Sequence, residues 1–157
     1  MELDRIDRHI LRILQNNGRI PNRELADEIG LAASTCSQRV HRLRDEGVLL
    51  DTHATVDPEA LGIDLQALIS VRLARHSRKD VEAFHLHCLS LDEVRAVFHV
   101  TGRQDFVLHV AVRDTEHLRD LAMDAFTTRP EVAHIETSLV YEHDHKPVLP
   151  DFLGSQQ

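Results

Sequence analysis

The 157-residue chain is poor in the residue types that mark several specialised protein classes. It has two cysteines, no tryptophan and one tyrosine. Cys36 and Cys88 lie far apart and outside any paired-cysteine motif, which argues against a disulfide scaffold or a cysteine-based zinc site. No apolar run approaches the roughly 20 residues that a membrane-spanning helix needs. The acidic start, Met-Glu-Leu-Asp, predicts no signal peptide. We therefore expect a cytoplasmic protein that does not contact membrane.

The chain also lacks a net positive charge, because it has 18 basic and 26 acidic residues and therefore a formal charge of −8. Residues 33–44 are the exception, with three arginines, one histidine and no acid. Residues 61–157 hold ten basic residues against fifteen acidic ones. A basic segment on an acidic body is compatible with DNA binding. It predicts modest non-specific affinity for a single chain, so we expect chains to cooperate.

Apolar residues at helical spacing predict three short helices in the first fifty residues, over 4–16, 22–29 and 33–46. Asp4 is suited to cap the first helix and Pro21 to open the second. Gly30 and Gly47 are suited to end the second and third helices. Only three residues separate those two helices, so the chain must turn sharply there. This pattern predicts a helix-turn-helix, the motif that places its last helix in the major groove of DNA.

The rest of the chain shows strand and helix patterns in the order β-α-β-β-α-β, which is the ferredoxin-like arrangement. The expected strands and helices span residues 65–75, 79–90, 94–100, 106–112, 114–127 and 132–141. An extended stretch from Val48 to Val56 is interpreted as a connecting strand. The predicted fold is therefore α+β, with a helix-turn-helix (winged-helix-like) domain before the ferredoxin-like domain. The four segments are a DNA-binding domain, a linker, a sensing and oligomerisation domain and a loosely ordered tail, over 1–50, 51–63, 64–142 and 143–157.

Helices on one face of such a sheet leave the other face uncovered. We expect the uncovered face to be apolar and to contain Leu65, Ala67, Ile69 and Val71, with Val97 and Ala111 on neighbouring strands. Hiding that face from water predicts a homodimer that packs sheet against sheet.

Three segments resemble the N-terminal half of the Lrp/AsnC (leucine-responsive, feast/famine) transcription regulators: LDRIDRHILRILQNNGRI, ELADEIGL and STCSQRVHRLRDEGVL. Two later segments resemble the ligand-sensing half of that family: HVTGRQDFVLHVAV and HIETSLVYE. The likeness covers roughly residues 2–143. It implies a dimer, often assembled into octamers, that binds operator DNA and is regulated by a small effector, usually an amino acid. The chain departs from the family at Pro21 and Ala32, where Ser or Thr is usual, so Ser34 is an alternative start for the third helix.

The outward positions of the third helix are the candidates for DNA contact. Gln38 can form two hydrogen bonds with adenine, and Arg42 can contact guanine or phosphate. Arg39 has two interpretations, a phosphate contact or a brace that holds the motif from inside. The ordinary alternative for the whole helix is a solvated basic face. The candidate set is Ser34, Thr35, Ser37, Gln38, Arg39, His41, Arg42 and Arg44.

A second candidate site surrounds the turn at residues 101–105. Gly102 permits a positive φ angle, and Asp105 places a carboxylate where an α-ammonium group could bind. The resemblance implies that this turn and the last strand flank the effector pocket, commonly at a contact between dimers. The matching positions are Gly102, Asp105, Thr115, Ser138, Leu139 and Val140. Ordinary turn chemistry, and core packing for the last two residues, are the alternatives.

The twelve histidines raise the question of a metal. The short hairpin predicts that His99 and His109 lie roughly opposite each other on the presumed dimer face, where they could bind a metal or respond to pH. We favour polar lining of a wet cleft and expect no metal and no cofactor. One rival function is a small-molecule enzyme in the dimer cleft, but no nucleophile–base pair is evident. Another is an effector sensor without DNA binding, which the Arg/Gln-rich helix argues against. We predict a non-enzymatic regulator that binds double-stranded DNA.

Overall fold

The computed structural model describes residues 2–153 and divides them into two compact units. The first unit contains residues 2–54 together with 144–153, and the second contains residues 55–143. Each unit has its own hydrophobic core. Across residues 2–153, no helix has both the length and the apolar character to span a bilayer.

Three helices build the first unit: α1 (Arg5–Asn16), α2 (Asn22–Ile29) and α3 (Ala33–Asp45). Asp4 caps α1, as predicted, by accepting a 2.8 Å hydrogen bond from the Asp7 N–H. Gly30 ends α2 in the left-handed conformation, with φ of 73°, which favours a residue without a Cβ atom. The three predicted helices are therefore confirmed. α3 begins at Ala33 and not at the alternative start, Ser34.

The core of the first unit comes from all three helices. The buried side chains are Ile10, Ile13, Leu25, Ala26, Cys36, Val40 and Leu43. The α3 members of this core are Cys36, Val40 and Leu43. Burial raises the pKa of the Cys36 thiol, so this cysteine acts as a small apolar core residue.

The predicted connecting strand from Val48 to Val56 is wrong. No residue of this stretch is in a strand, and the ladders of the described residues all lie within the second unit. The N–H groups of Val48 and Leu49 instead donate to the Leu43 carbonyl, each at 2.9 Å, and so close the end of α3. An extended stretch forms a strand only where a neighbouring edge accepts its hydrogen bonds.

The tail returns to the first unit. Residues 142–153 contain no helix or strand. The Leu149 N–H nevertheless donates a 2.7 Å hydrogen bond to Gln15 of α1, and Asp151 lies 3.5 Å from Arg8. The last four residues of the predicted tail, 154–157, lie outside the described part of the chain.

A four-stranded antiparallel sheet organises the second unit, in the order β2-β3-β1-β4. Its elements are β1 (Leu65–Leu73), α4 (Arg78–Leu89), β2 (Val94–His99), β3 (Phe106–Val112), α5 (Thr115–Leu121) and β4 (Val132–Leu139). A short 3₁₀ turn (Glu59–Leu61) precedes β1. The expected helix over 114–127 changes to a π-helical turn (Ala122–Thr127) after α5, and Phe126 of that turn is fully buried. The ferredoxin-like prediction is confirmed.

The helices cover the face of the sheet that we expected to be open. Ala67, Ile69 and Val71 are fully buried in one cluster with Phe84 of α4 and Leu118 of α5. Val97 packs against the same cluster. The prediction for this face is therefore wrong, because alternation shows which residues share a face and not which face receives the helices.

The open face of the sheet is nevertheless partly apolar. The register places Leu68 of β1 opposite His109 of β3, and Phe98 of β2 opposite Val107 of β3. Leu68 is 37% exposed and Phe98 is 52% exposed. Ala111, which was predicted on this face, does lie there, since its neighbours Val110 and Val112 are buried on the other side.

We expect Phe84→Ala to lower the free energy of unfolding of the second unit by about 3–5 kcal/mol. The Phe84 ring is fully buried and lies 5.0 Å from the Phe106 ring and 6.2 Å from the Phe126 ring, centroid to centroid. Urea unfolding followed by circular dichroism measures the loss. Leu86→Ala is the matched control, because Leu86 lies in the same helix but is 60% exposed, and it should cost less than about 1 kcal/mol. Equal losses in the two variants would contradict the packing described here.

Candidate nucleic-acid interface

α3 presents a polar and basic face to solvent. Its 13 residues make a rod of about 20 Å, which fits a major groove about 12 Å wide. The inward-facing residues of α3 are buried against α1 and α2. Apart from Ala33 and Asp45 at its two ends, the side chains left fully or partly exposed are Ser34, Thr35, Ser37, Gln38, Arg39, His41, Arg42 and Arg44. This set is the one that we predicted for DNA contact, and the structure places all of it on a single helix.

The start of α3 is polar and carries no acid. Ala32 occupies the N-cap position without a side-chain hydrogen bond, and the first turn contains no acidic residue. A Ser or Thr at this position would accept one of the first N–H groups of the helix. With Ala32 these donors lack a side-chain acceptor at the positive end of the helix dipole, an arrangement that suits a DNA phosphate.

Two arginines of α3 reach back to α1. Arg39 Nη1 lies 2.7 Å from Asp4 Oδ2 and 2.8 Å from Asp7 Oδ1. Arg42 Nη2 lies 2.7 Å from Asp7 Oδ2. Asp7 is 1% exposed, whereas the Arg42 side chain keeps 45% of its surface exposed. Of the two interpretations of Arg39, this geometry supports the brace. Arg42 is also held in an ion pair, with Asp7.

The charges in this network favour the ionised forms. The Asp7 N–H, followed by the Arg39 guanidinium, lowers the pKa of Asp4 from 3.8 to about 2. Hydrogen bonds from Arg39 to Asp4 and Asp7 in turn raise the pKa of Arg39. Asp4 and Arg39 are therefore both charged above about pH 4.

Asp7 is the functional residue that the sequence analysis missed. A signal was present, because Asp7 precedes Ile10 by three residues and so shares the inward face of α1. A carboxylate at a buried position requires a cation or several donors. The sequence alone does not show that α3 supplies both cations.

The predicted effector residues fall into two groups in one chain. Gly102, with φ of 116°, and Asp105 lie beside the end of β1, where the Asp105 carboxylate accepts a 2.7 Å hydrogen bond from the Leu73 N–H and lies 2.8 Å from His76 Nε2. Thr115, Ser138, Leu139 and Val140 lie at the other end of β1, where the Val140 N–H donates to the Gln66 carbonyl.

Gln66 and Leu73 are seven positions apart in β1, which is a distance of about 23 Å along a strand. One chain therefore does not bring the two groups of predicted effector residues together. A pocket that uses both groups needs a second chain.

The prediction that His99 and His109 lie opposite each other is wrong. The β2–β3 hairpin closes at the pair His99 and Phe106, so His109 lies opposite Ala96. The His99 ring stacks on Phe106 at 4.7 Å, on the face that the helices cover. His109 lies on the open face, where it makes a 2.8 Å hydrogen bond with Gln66 and where burial, then His143 and Arg95, lower its pKa. Within residues 2–153 no group of three or more metal-ligating side chains occurs.

The two units and the basic helix define a class of protein, a helix-turn-helix transcriptional regulator with a separate ferredoxin-like domain. The AsnC-type helix-turn-helix family matches residues 3–44, and the Lrp/AsnC ligand binding domain matches residues 66–147. The chain belongs to the Lrp/AsnC family of DNA-binding transcriptional regulators. The resemblance noted in the sequence is thus confirmed.

Known relatives agree with this assignment. The chain is 43% identical over 142 residues to the HTH-type transcriptional regulator AldR of Mycolicibacterium smegmatis, which covers 90% of this chain and 83% of AldR. It is 36% identical over 139 residues to the leucine-responsive regulatory protein of Rhizobium meliloti, covering 88% and 89% of the two chains. A transcriptional regulator of Neisseria meningitidis, solved as a complex with L-Met, superposes with a TM-score of 0.88 at 31% identity over 95% of this chain and 97% of that one.

We expect Asp4→Ala to destabilise the first unit by about 1 kcal/mol at pH 7, because it removes the cap of α1. The folded-state pKa of Asp4 is about 2, below its ordinary value of 3.8, so its contribution is complete above about pH 4 and disappears as the pH falls towards 2. Urea unfolding of the native chain and the variant from pH 7 to pH 2.5 measures the difference. Asp51→Ala, at an exposed position, is the control and should show no such trend. A difference that is unchanged at pH 2.5 would contradict the role of Asp4.

Proposed function

We propose that the chain is a sequence-specific regulator that binds operator DNA through α3 as a homo-oligomer, and that an amino acid effector controls this binding. The observation that carries the proposal is the outward face of α3, polar near its start and basic towards its end, on a helix braced from behind by Asp7. Such a protein acts where the chromosome is, in the cytoplasm, and needs no metal, cofactor or catalytic group.

Within α3 we assign base contacts and phosphate contacts to different residues. Ser34, Thr35, Ser37 and Gln38 lie near the start of the helix, the part that enters the groove first in this motif. His41 and Arg44 lie one to two turns further on and are exposed. They are suited to the DNA backbone or to a flanking base. Arg42 lies beside them but is paired with Asp7, and Arg39 serves as the brace.

The open face of the sheet is the proposed dimer contact. Leu68, Phe98 and Val107 form its apolar part, and the hydrogen-bonded pair His109 and Gln66 forms a polar part. Pairing this face with its copy in a second chain removes the exposed apolar surface from water. A two-fold dimer also presents two copies of α3, which matches operators with two half-sites. We propose further assembly of dimers, up to an octamer.

The proposed effector pocket forms between chains. Gly102 and Asp105 of one chain and Thr115, Ser138, Leu139 and Val140 of another would surround the ligand, since a single chain holds the two groups towards opposite ends of β1. A likeness to the regulator solved with L-Met supports an amino acid as the ligand class. A ligand that binds only where chains meet favours one assembly over another, and thereby changes the spacing of the α3 helices.

Gln38→Ala is expected to reduce discrimination between operator and random DNA about 10-fold or more, because it removes a side chain that can pair with adenine. Affinity for random duplex DNA should change less than 2-fold. Fluorescence anisotropy with promoter DNA from beside the gene and with a random duplex measures both. Lys79→Ala, a cation of α4 in the second unit, is the control and should leave both affinities unchanged. Equal losses on the two DNAs would contradict the role of Gln38.

Asp105→Asn is expected to weaken effector binding at least 10-fold, because the amide loses the charge that attracts an α-ammonium group. The amide oxygen still accepts the Leu73 N–H, so folding is retained. A thermal-shift screen with the twenty amino acids identifies the ligand, and a titration with that amino acid then compares the native chain with the variant. Asp92→Asn, at an exposed position in another turn, is the matched control. Unchanged affinity in Asp105→Asn would refute this pocket.

A further inference from the structure

We propose that Asp7 is a positioning residue that withdraws the charges of Arg39 and Arg42 from the DNA-facing surface, so that binding depends on base contacts more than on phosphate attraction. This inference rests on the proposed function of α3. It concerns how the helix discriminates between operator and random DNA. Asp7 itself does not touch DNA.

The geometry shows both guanidinium groups sharing one buried carboxylate. Each oxygen of Asp7 takes a different arginine, Oδ1 at 2.8 Å from Arg39 and Oδ2 at 2.7 Å from Arg42. Asp4 adds a second contact to Arg39 at 2.7 Å. Asp7 is 1% exposed, so water screens these pairs little from its side.

The charges of this network cancel, because Asp4 and Asp7 balance Arg39 and Arg42. The salt bridges found among residues 2–153 include Arg39 and Arg42 but not Arg44. One of the three α3 arginines is thus left to attract phosphate at full strength. Because non-specific DNA affinity comes almost entirely from such phosphate contacts, the network lowers the affinity for random sequences.

Packing alone does not account for a carboxylate at this position. Burying an ion pair costs desolvation, and an apolar side chain of similar volume often stabilises a core as well or better. An apolar residue would, however, leave Arg42 unpaired and free to move towards phosphate, with Arg39 held only by the exposed Asp4. Asp7 supplies what such a residue would not, a fixed position and a neutral total charge for two arginines beside the reading surface.

The salt dependence of binding tests the proposal. Each phosphate neutralised by a cation adds about 0.9 to the slope of log K against log salt concentration. With a random 30-base-pair duplex, Asp7→Asn should steepen the slope by about 1 and raise the affinity several-fold. The ratio of affinities for promoter DNA and random DNA should fall by a similar factor. Arg42→Gln in the native background should leave the slope unchanged. In the double variant with Asp7→Asn, the slope and the affinity for random DNA should return to those of the native chain.

Asp51→Asn is the matched control, because it removes one exposed carboxylate of the same unit that contacts neither Arg39 nor Arg42. Its slope should equal that of the native chain. If Arg42→Gln in the native background lowers the slope by about 0.9, then Arg42 already holds a phosphate and the proposal is wrong. Parallel losses on both DNAs in Asp7→Asn, with no change of slope, would show a merely structural role and also overturn it.

Circular dichroism establishes whether Asp7→Asn folds, and if it does not, Arg42→Gln alone decides between the two outcomes. DNA binding by the native chain distinguishes a failure of this inference from a failure of the proposed function. Binding of the native chain to neither DNA would overturn both. Binding with discrimination, but with slopes other than those expected here, would overturn only the role of Asp7.

Discussion

The orientation of the DNA-reading helix depends on one buried carboxylate, Asp7 of α1, which both Arg39 and Arg42 of α3 contact. The apolar core around Ile10 and Val40 holds α1 and α3 together. Apolar contacts are non-directional, so they do not define the geometry between individual side chains. The two ion pairs have defined geometry. Together with the buried side chains of Cys36, Val40 and Leu43, they hold α3 with its polar side chains pointing outward.

A second constraint comes from the length of β1. Its nine residues separate the turn with Gly102 and Asp105 from the strand end with Ser138, so a pocket that uses both lies between chains. A ligand bound there stabilises the assembly that contains the pocket. In the proposed mechanism, sensing and DNA binding are therefore linked through the oligomeric state.

The sequence predicts the elements of this fold well, because the signals for them are local. Asp4 marks the start of α1, and the alternation from Ala67 to Leu73 marks β1. The errors concern pairings between distant segments. Alternation does not tell which face of β1 receives the helices. The register of the β2–β3 hairpin places His109 opposite Ala96 and not opposite His99. The stretch from Val48 has no neighbouring strand with which to pair. The role of Asp7 was missed for the same reason, since its partners lie more than thirty residues away.

Hydrogen–deuterium exchange with and without promoter DNA tests the central claim most directly. If the outward face of α3 enters the groove, DNA should slow exchange most strongly in residues 33–45 and in the turn before them. Residues 65–139 should change little, apart from any contact between chains. Protection confined to that second region, with exchange in α3 unaltered, would contradict the account.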